Sequence, residues 1–80
     1  MKIKWEDIKP GDIVELIYTG NTRVPKFLNG VSATALERNQ AGNLIVQSHH
    51  KNDNITRTVQ ECDVNVEKTI QNNILLNSTN

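Results

Sequence analysis

The chain has 80 residues, nine basic and nine acidic side chains, and a formal net charge of zero. This length allows one small domain with a thin hydrophobic core, and the single cysteine excludes a disulfide within the chain. Balanced charge argues against a general nucleic-acid binder, because such proteins normally carry a basic excess that releases counterions from phosphates.

Targeting signals and composition suggest where the protein works. Residues Met1–Asp7 contain no apolar stretch of the kind found in signal peptides, and no apolar run approaches the roughly 20 residues that span a bilayer. With the unpaired Cys62, this predicts a cytoplasmic protein without membrane association. The abundance of Asn, Ile and Lys suggests an AT-rich genome, and hence a small accessory protein of phage or mobile-element type.

The first predicted element is a turn followed by a strand. Pro10 presets φ at the second position of a turn, and Gly11 tolerates positive φ at the third. The run Asp12–Tyr18 is rich in β-formers and alternates in polarity. It predicts a strand whose core-facing side chains are Val14, Leu16 and Tyr18.

Four more strands are predicted along the chain. The connection Thr19–Gly30 is long for a compact domain, and such connections are often functional. We expect the dipeptide Phe27-Leu28 to attach this loop to the domain. The predicted strands are Val31–Arg38, Leu44–Ser48, Ile55–Val59 and Val64–Glu67, with hairpin residues at 39–43, a polar loop at 49–54 and a tight 3₁₀-like turn at Gln60–Asp63.

The C-terminal segment differs in composition from the rest. Residues 69–80 are Asn-rich, so the predicted division is a β domain at 1–68 and a tail at 69–80 that is either flexible or docked. An exposed apolar cluster in the tail would be a liability. A homo-oligomer formed through this tail is therefore an open alternative, and its apolar residues are Ile70, Ile74, Leu75 and Leu76.

The order of these elements resembles the SH3-like small β-barrel superfamily, in its bacterial KOW-like or Tudor-like form. The resemblance rests on Lys9–Val14, on the Thr19–Gly30 loop and on the turn Gln60–Asp63 ahead of Val64–Val66. It covers roughly residues 5–68. It implies an all-β, five-stranded barrel whose loops or strand edges bind peptides, proteins, RNA or DNA, and which rarely catalyses reactions.

The chain also departs from parts of that superfamily. The Ala-Leu-Tyr-Asp-Tyr type motif of peptide-binding SH3 domains is absent, and aromatic residues are few. A groove for Pro-rich peptides needs aromatic-lined slots, so this recognition mode is not expected. The same scarcity argues against an aromatic cage of the Tudor type.

Cationic and aromatic side chains in two loops are the best candidates for partner contacts. The predicted partner-binding residues are Arg23, Lys26, Phe27, Lys51, Arg57 and Trp5. Lysine and arginine beside an exposed aromatic ring would suit single-stranded nucleic acid. The simpler interpretation, which we favour at this point, is a loop in which Phe27 is buried and the charges are solvated. Trp5 is expected to pack over one end of the domain, or to act as an interface anchor if exposed.

No residue pattern indicates catalysis or a bound metal. Adjacent His49 and His50 would point to opposite faces of a strand and could not easily share one ion. Cys62 lacks a family signature for a nucleophile and is expected to be a small buried side chain. We therefore expect neither enzymatic activity nor a cofactor.

Two functions remain at this stage. The first is a non-enzymatic protein-binding module, an accessory or inhibitor protein that contacts its partner through the long loop and exposed strand edges. The alternative is a KOW-like nucleic-acid-binding module, which predicts salt-sensitive association.

Overall fold

A computed structural model describes residues 3–72 and shows an all-β fold. Four antiparallel strands form one open sheet in the order β1-β2-β3-β4. The strands are β1 (Ile13–Glu15), β2 (Ser32–Arg38), β3 (Leu44–Ser48) and β4 (Thr56–Val59). Short 3₁₀ turns lie at Trp5–Asp7, Lys26–Leu28, Glu61–Asp63 and Val66–Lys68. The prediction of an all-β chain is confirmed.

The predicted Pro10-Gly11 turn precedes β1. The Asp12 N–H donates to the Lys9 carbonyl at 3.0 Å, which closes the turn, and Gly11 has a φ of +94°. The Asp12 carboxylate accepts the Lys9 N–H at 2.9 Å and the Asn72 N–H at 2.8 Å. The buried Asp12 carboxylate thus fixes the turn before β1 and holds Asn72 beside it.

The first strand is shorter than predicted, and one predicted core residue is wrong. Val14 and Leu16 are buried as expected, but Tyr18 is 40% exposed. The regular ladder ends at Glu15, and the Tyr18 N–H donates to the Asn29 side chain at 2.9 Å instead of to a strand. Side-chain alternation holds only while the backbone stays in the sheet, so it does not extend to Tyr18.

Strands β2, β3 and β4 match the predicted positions to within one residue. The hairpin between β2 and β3 closes where the Asn39 N–H donates to the Asn43 carbonyl at 2.9 Å. A β-bulge interrupts the β2–β3 pairing between Ala35 and Glu37. The bulged residue, Leu36, is 43% exposed.

The core lies on one side of the sheet and is aliphatic. Its buried members are Ile8, Val14, Leu16, Val24, Leu28, Ala33, Ala35, Leu44, Val46, Val59 and Val64. Ile3, Trp5, Val31 and Val66 pack against this cluster while staying partly exposed. β2 lies between β1 and β3, and its buried side chains, Ala33 and Ala35, are small.

Among residues 3–72 the strands form an open sheet, so the predicted closed barrel is wrong, and the predicted fifth strand, Val64–Glu67, is not formed. Val64 makes one isolated antiparallel bridge with Leu16, and residues Val66–Lys68 then form a 3₁₀ turn. The turn forms because the Lys68 N–H donates to the Asn65 carbonyl at 3.0 Å, with Asn65 at φ −83° and ψ 88°, outside the extended region. The backbone therefore leaves the sheet direction after a single bridge.

The segment after β4 nevertheless covers the outer edge of β1. Ile13 and Ile70 exchange two backbone hydrogen bonds of 2.9 and 2.8 Å. The Asn65 N–H donates to the Glu15 carbonyl at 2.9 Å, and the Ile17 N–H donates to the Asp63 carbonyl at 2.8 Å. Of the predicted tail, Ile70 is thus paired with β1, whereas Ile74, Leu75 and Leu76 lie outside the described residues.

The opposite edge of the sheet, β4, pairs with no strand other than β3 among residues 3–72. The His49 N–H donates to the Ser32 carbonyl at 2.9 Å, which fixes the alternation along β3. In the observed register, Thr56 and Thr58 direct their backbone N–H and C=O groups away from β3. The sheet therefore has one covered and one open edge.

Candidate functional site

The long loop between β1 and β2 is held firmly by its own apolar side chains. Val24 and Leu28 are completely buried, and the Leu28 N–H donates to the Pro25 carbonyl at 3.0 Å to form the 3₁₀ turn Lys26–Leu28. Leu28 therefore attaches the loop to the core. Phe27, the neighbouring residue in the turn, points outward and is 52% exposed, so the expectation that Phe27 is buried is wrong.

An aromatic contact between Phe27 and His50 joins the long loop to the polar loop at 49–54. The Phe27 ring centroid lies 5.1 Å from that of His50, with an interplanar angle of 83°, an edge-to-face geometry that aromatic pairs favour. The Asn52 N–H donates to His50 Nδ1 at 3.0 Å. Lys26 and Lys51 are exposed neighbours of the two rings in the chain. We call Lys26, Phe27, His50 and Lys51 the Phe27 surface.

Arg23, predicted as a partner-binding residue, is instead held by a buried carboxylate. Its Nε lies 2.6 Å from Asp63 Oδ2, and the Asp63 side chain is completely buried. Asn21 Nδ2 donates to Asp63 Oδ1 at 2.8 Å, and the Gln60 N–H donates to Asp63 Oδ2 at 2.9 Å. Asp63 therefore ties the long loop to the 3₁₀ turn that follows β4.

The electrostatics of this cluster favour the charged form of both partners. Burial alone raises the pKa of Asp63, but hydrogen bonds from Arg23, the Gln60 N–H and Asn21 outweigh it, so the pKa lies below its ordinary value. The hydrogen bond to Asp63 raises the pKa of Arg23. Arg23 is consequently a structural cation whose charge is largely compensated within the fold.

Arg57, like Arg23, forms an ion pair with a buried carboxylate. Its Nη2 lies 2.7 Å from Asp53 Oδ1, and the Asp53 side chain is 3% exposed. Ser48 Oγ donates to Asp53 Oδ2 at 2.7 Å. The hydrogen bond from Arg57 lowers the pKa of Asp53 against the opposing effect of burial. The two predicted arginines therefore stabilise loops, whereas the two predicted lysines remain available.

Trp5 lies in a separate groove of about 450 Å³. The Arg38 guanidinium stacks on its ring, with Cζ 5.0 Å from the centroid. The same guanidinium donates to the carbonyls of Trp5 and Ile8 at 2.9 Å each and to that of Gly42 at 2.8 Å. Trp5 is half-buried against the core, which agrees with packing over one end of the sheet.

A second groove, of about 530 Å³, lies beside the outer edge of β1. Its apolar lining comes from Ile17, Val64 and Val66, and the exposed residues Glu61, Cys62 and Glu67 also line it. We call it the Cys62 groove. The expectation that Cys62 is buried is wrong, because its neighbour Asp63 takes the inward position in the 3₁₀ turn.

The two histidines have different environments. His49 Nδ1 lies 2.7 Å from Ser32 Oγ, and His49 Nε2 lies 2.7 Å from Thr34 Oγ1. Both ring nitrogens of His49 are therefore occupied by hydroxyl groups of β2, while His50 contacts Phe27. Within residues 3–72, no group of three or more His, Cys, Asp or Glu side chains is placed to hold a metal ion.

Three charged residues that organise these loops were not predicted from the sequence: Asp53, Asp63 and Arg38. For the ion pair between Asp53 and Arg57, the only local signal was their spacing of four residues. The Arg23–Asp63 pair spans 40 residues and leaves no pattern in the sequence.

Comparison with known proteins gives no relative. A scan against protein-family models finds no match, and searches of curated proteins and of solved structures return no similar protein. In the part of the chain described here, no helix has the length and apolar character required to cross a membrane.

Proposed function

We propose that this chain is a non-enzymatic protein-binding module that contacts its partner through the Phe27 surface. The observation that carries the proposal is the exposure of Phe27 on a loop held by buried Val24 and Leu28. A rigid, half-exposed aromatic ring loses little conformational entropy on binding and buries a large apolar area. Such residues dominate the energetics of protein interfaces.

We also propose a fold family and a cellular setting for this chain. An SH3-like arrangement of the four strands is supported by the order of segments, since residues 63–70 lie beside the outer edge of β1 and β1 to β4 are neighbours in chain order. The composition supports a cytoplasmic accessory or inhibitor protein of phage or mobile-element type. The protein acts by occupying a surface of its partner, with no reaction of its own.

A pull-down with matched variants tests this proposal. The immobilised chain is incubated with nuclease-treated and untreated lysate of the native host cell, in parallel with Phe27→Ala and Leu36→Ala. Leu36 is the control because it is also apolar and exposed but lies at the β2 bulge. We expect a protein that survives nuclease treatment, is retained by Leu36→Ala and is lost with Phe27→Ala. Equal capture by all three forms would refute the proposal.

The second candidate is a KOW-like nucleic-acid-binding module, which the position of Lys26 and Lys51 beside an exposed ring favours. Because Arg23 and Arg57 are paired with buried carboxylates, fewer cations are free to contact phosphate groups. Two lysine contacts would give a log–log salt slope of only about −1.4 for a single strand. Nuclease-sensitive capture that falls with Lys26→Gln and Lys51→Gln would support this function over the first.

A further inference from the structure

Charge is distributed unevenly over this neutral chain. Arg23 and Arg57 are paired with buried carboxylates, whereas Lys26 and Lys51 are exposed and form no ion pair within residues 3–72. The one carboxylate in the loop that carries His50 is Asp53, which is buried and paired with Arg57. The Phe27 surface is therefore locally positive.

The Cys62 groove has the opposite character. Its apolar lining of Ile17, Val64 and Val66 is accompanied by Glu61 and Glu67, both exposed. Within residues 3–72, neither of these glutamates, nor Lys26 or Lys51, forms an ion pair. The molecule thus presents an aromatic side chain flanked by free lysines and, elsewhere, an apolar groove flanked by free glutamates.

We propose that Phe27 of one copy inserts into the Cys62 groove of a second copy, with Lys26 and Lys51 facing Glu61 and Glu67. The groove is open to solvent, with a volume of about 530 Å³, and its residues Ile17, Val64 and Val66 offer an apolar surface on which an aromatic ring can pack. Opposite charges around the apolar contact select this orientation over others. A net charge of zero removes the overall repulsion that keeps many small proteins monomeric.

The contact joins two different patches of the same molecule, so it closes as a reciprocal dimer or ring, or continues as a chain. It rests on the proposed function, since it assigns a partner to the Phe27 surface. It also makes self-association compete with any other protein that binds Phe27.

Complementary charge reversal tests the contact directly. One variant, Lys26→Glu with Lys51→Glu, alters the Phe27 surface and leaves the groove intact. The other, Glu61→Lys with Glu67→Lys, alters the groove and leaves the Phe27 surface intact. Mass is measured by sedimentation equilibrium from about 10 μM to about 1 mM, a range suited to small interfaces. Circular dichroism verifies that each variant is folded.

We expect the wild-type mass to rise with concentration and to fall again when added salt screens the charges. Each variant alone should associate at least tenfold more weakly than the wild type. An equimolar mixture should regain association, because each variant's Phe27 surface is opposite in charge to the other variant's groove. Lys4→Glu with Lys9→Glu, which changes the net charge equally through two exposed residues, should retain wild-type association.

Cys62 provides an independent readout, because it is an exposed residue in the lining of the groove. Occupation of the groove should slow its reaction with an aromatic disulfide reagent, by about twofold when half of the grooves are filled. Phe27→Ala should abolish this concentration dependence.

The proposal is overturned if the wild type remains monomeric at about 1 mM in this assay, or if the mixed variants are no heavier than each alone. It is also overturned if the Lys4 and Lys9 control loses association equally. Phe27-dependent capture of another protein, together with a monomeric wild type, would remove the self-contact and retain the proposed function. Absence of any Phe27 effect in both assays would remove both.

Discussion

Replacing Asp63 by Asn should destabilise the fold more than any other single polar substitution in the turn that contains it. The carboxylate is completely buried and accepts hydrogen bonds from Arg23, Asn21 and the Gln60 N–H. The amide of the variant would keep one acceptor oxygen but would present an N–H₂ group to these donors. Removing one partner of a buried ion pair costs about 3–5 kcal/mol; we expect about 3 kcal/mol because Arg23 can regain water.

This loss is large relative to the stability of so small a domain. At ~0.05–0.15 kcal/mol per residue, the free energy of unfolding of an 80-residue chain is about 4–12 kcal/mol. Urea denaturation can be followed by the fluorescence of Trp5, the only tryptophan, which packs against the core. With a slope of about 1 kcal/mol per M, the midpoint should fall by about 3 M.

The pH dependence provides a second, independent check. The pKa of Asp63 in the folded protein lies below its ordinary value of 3.8, so folding favours the ionised form. Its contribution to stability is present above the unfolded pKa and is lost as pH falls through the folded pKa. The wild type should therefore lose more stability than Asp63→Asn between about pH 5 and pH 2. The remaining acid sensitivity of the variant should come in part from Asp53, whose pKa is also lowered.

Glu61→Gln is the matched control, since Glu61 lies in the same 3₁₀ turn but is exposed. Its effect should stay within about 0.5 kcal/mol. A midpoint change below about 0.5 M for Asp63→Asn, or an acid slope equal to that of the wild type, would show that the Asp63 carboxylate does not contribute this stability.

Three further substitutions test other parts of the fold by thermal denaturation. Leu28→Ala should cost about 2–5 kcal/mol, because Leu28 is completely buried. Phe27→Ala should cost only about 0.5–1.5 kcal/mol, because Phe27 is half-exposed and loses chiefly its contact with His50; comparable losses would contradict the assigned orientation of the turn. Arg38→Met should cost about 1–3 kcal/mol through three carbonyls that lose their donor, and an unchanged melting temperature would count against that role. Gly11→Ala should cost about 1–2 kcal/mol, because φ is +94° and the new Cβ would lie 2.9 Å from Asn72 Nδ2; a neutral effect would show that the turn relaxes.

Local patterns predicted the strands and turns well where the determinants are close in sequence. The Pro10-Gly11 turn, the β2–β3 hairpin and the 3₁₀ turn Glu61–Asp63 all lie where turn residues and alternation placed them. The same patterns failed at Tyr18, whose backbone leaves the sheet for a bond with Asn29. They failed again after Val64, where a 3₁₀ turn replaces the expected strand.

Side-chain roles were harder to predict than strands, because charge pairing depends on tertiary distance. Arg23 and Arg57 looked like surface cations in the sequence, and both are compensated by carboxylates. Cys62 was expected to be buried but is exposed, because its neighbour Asp63 takes the buried position in the turn. Phe27 and Leu28 are a second such pair.

The all-β class was predictable from the sequence, because strand alternation and turn chemistry act over a few residues. Which loop side chains are exposed and unpaired became known only from the three-dimensional structure. Burial of a side chain and pairing of a charge depend on residues up to 40 positions apart, which no local pattern encodes. Lys26, Phe27 and Lys51 therefore lie exposed at the surface, whereas Arg23 and Arg57 form ion pairs with buried carboxylates.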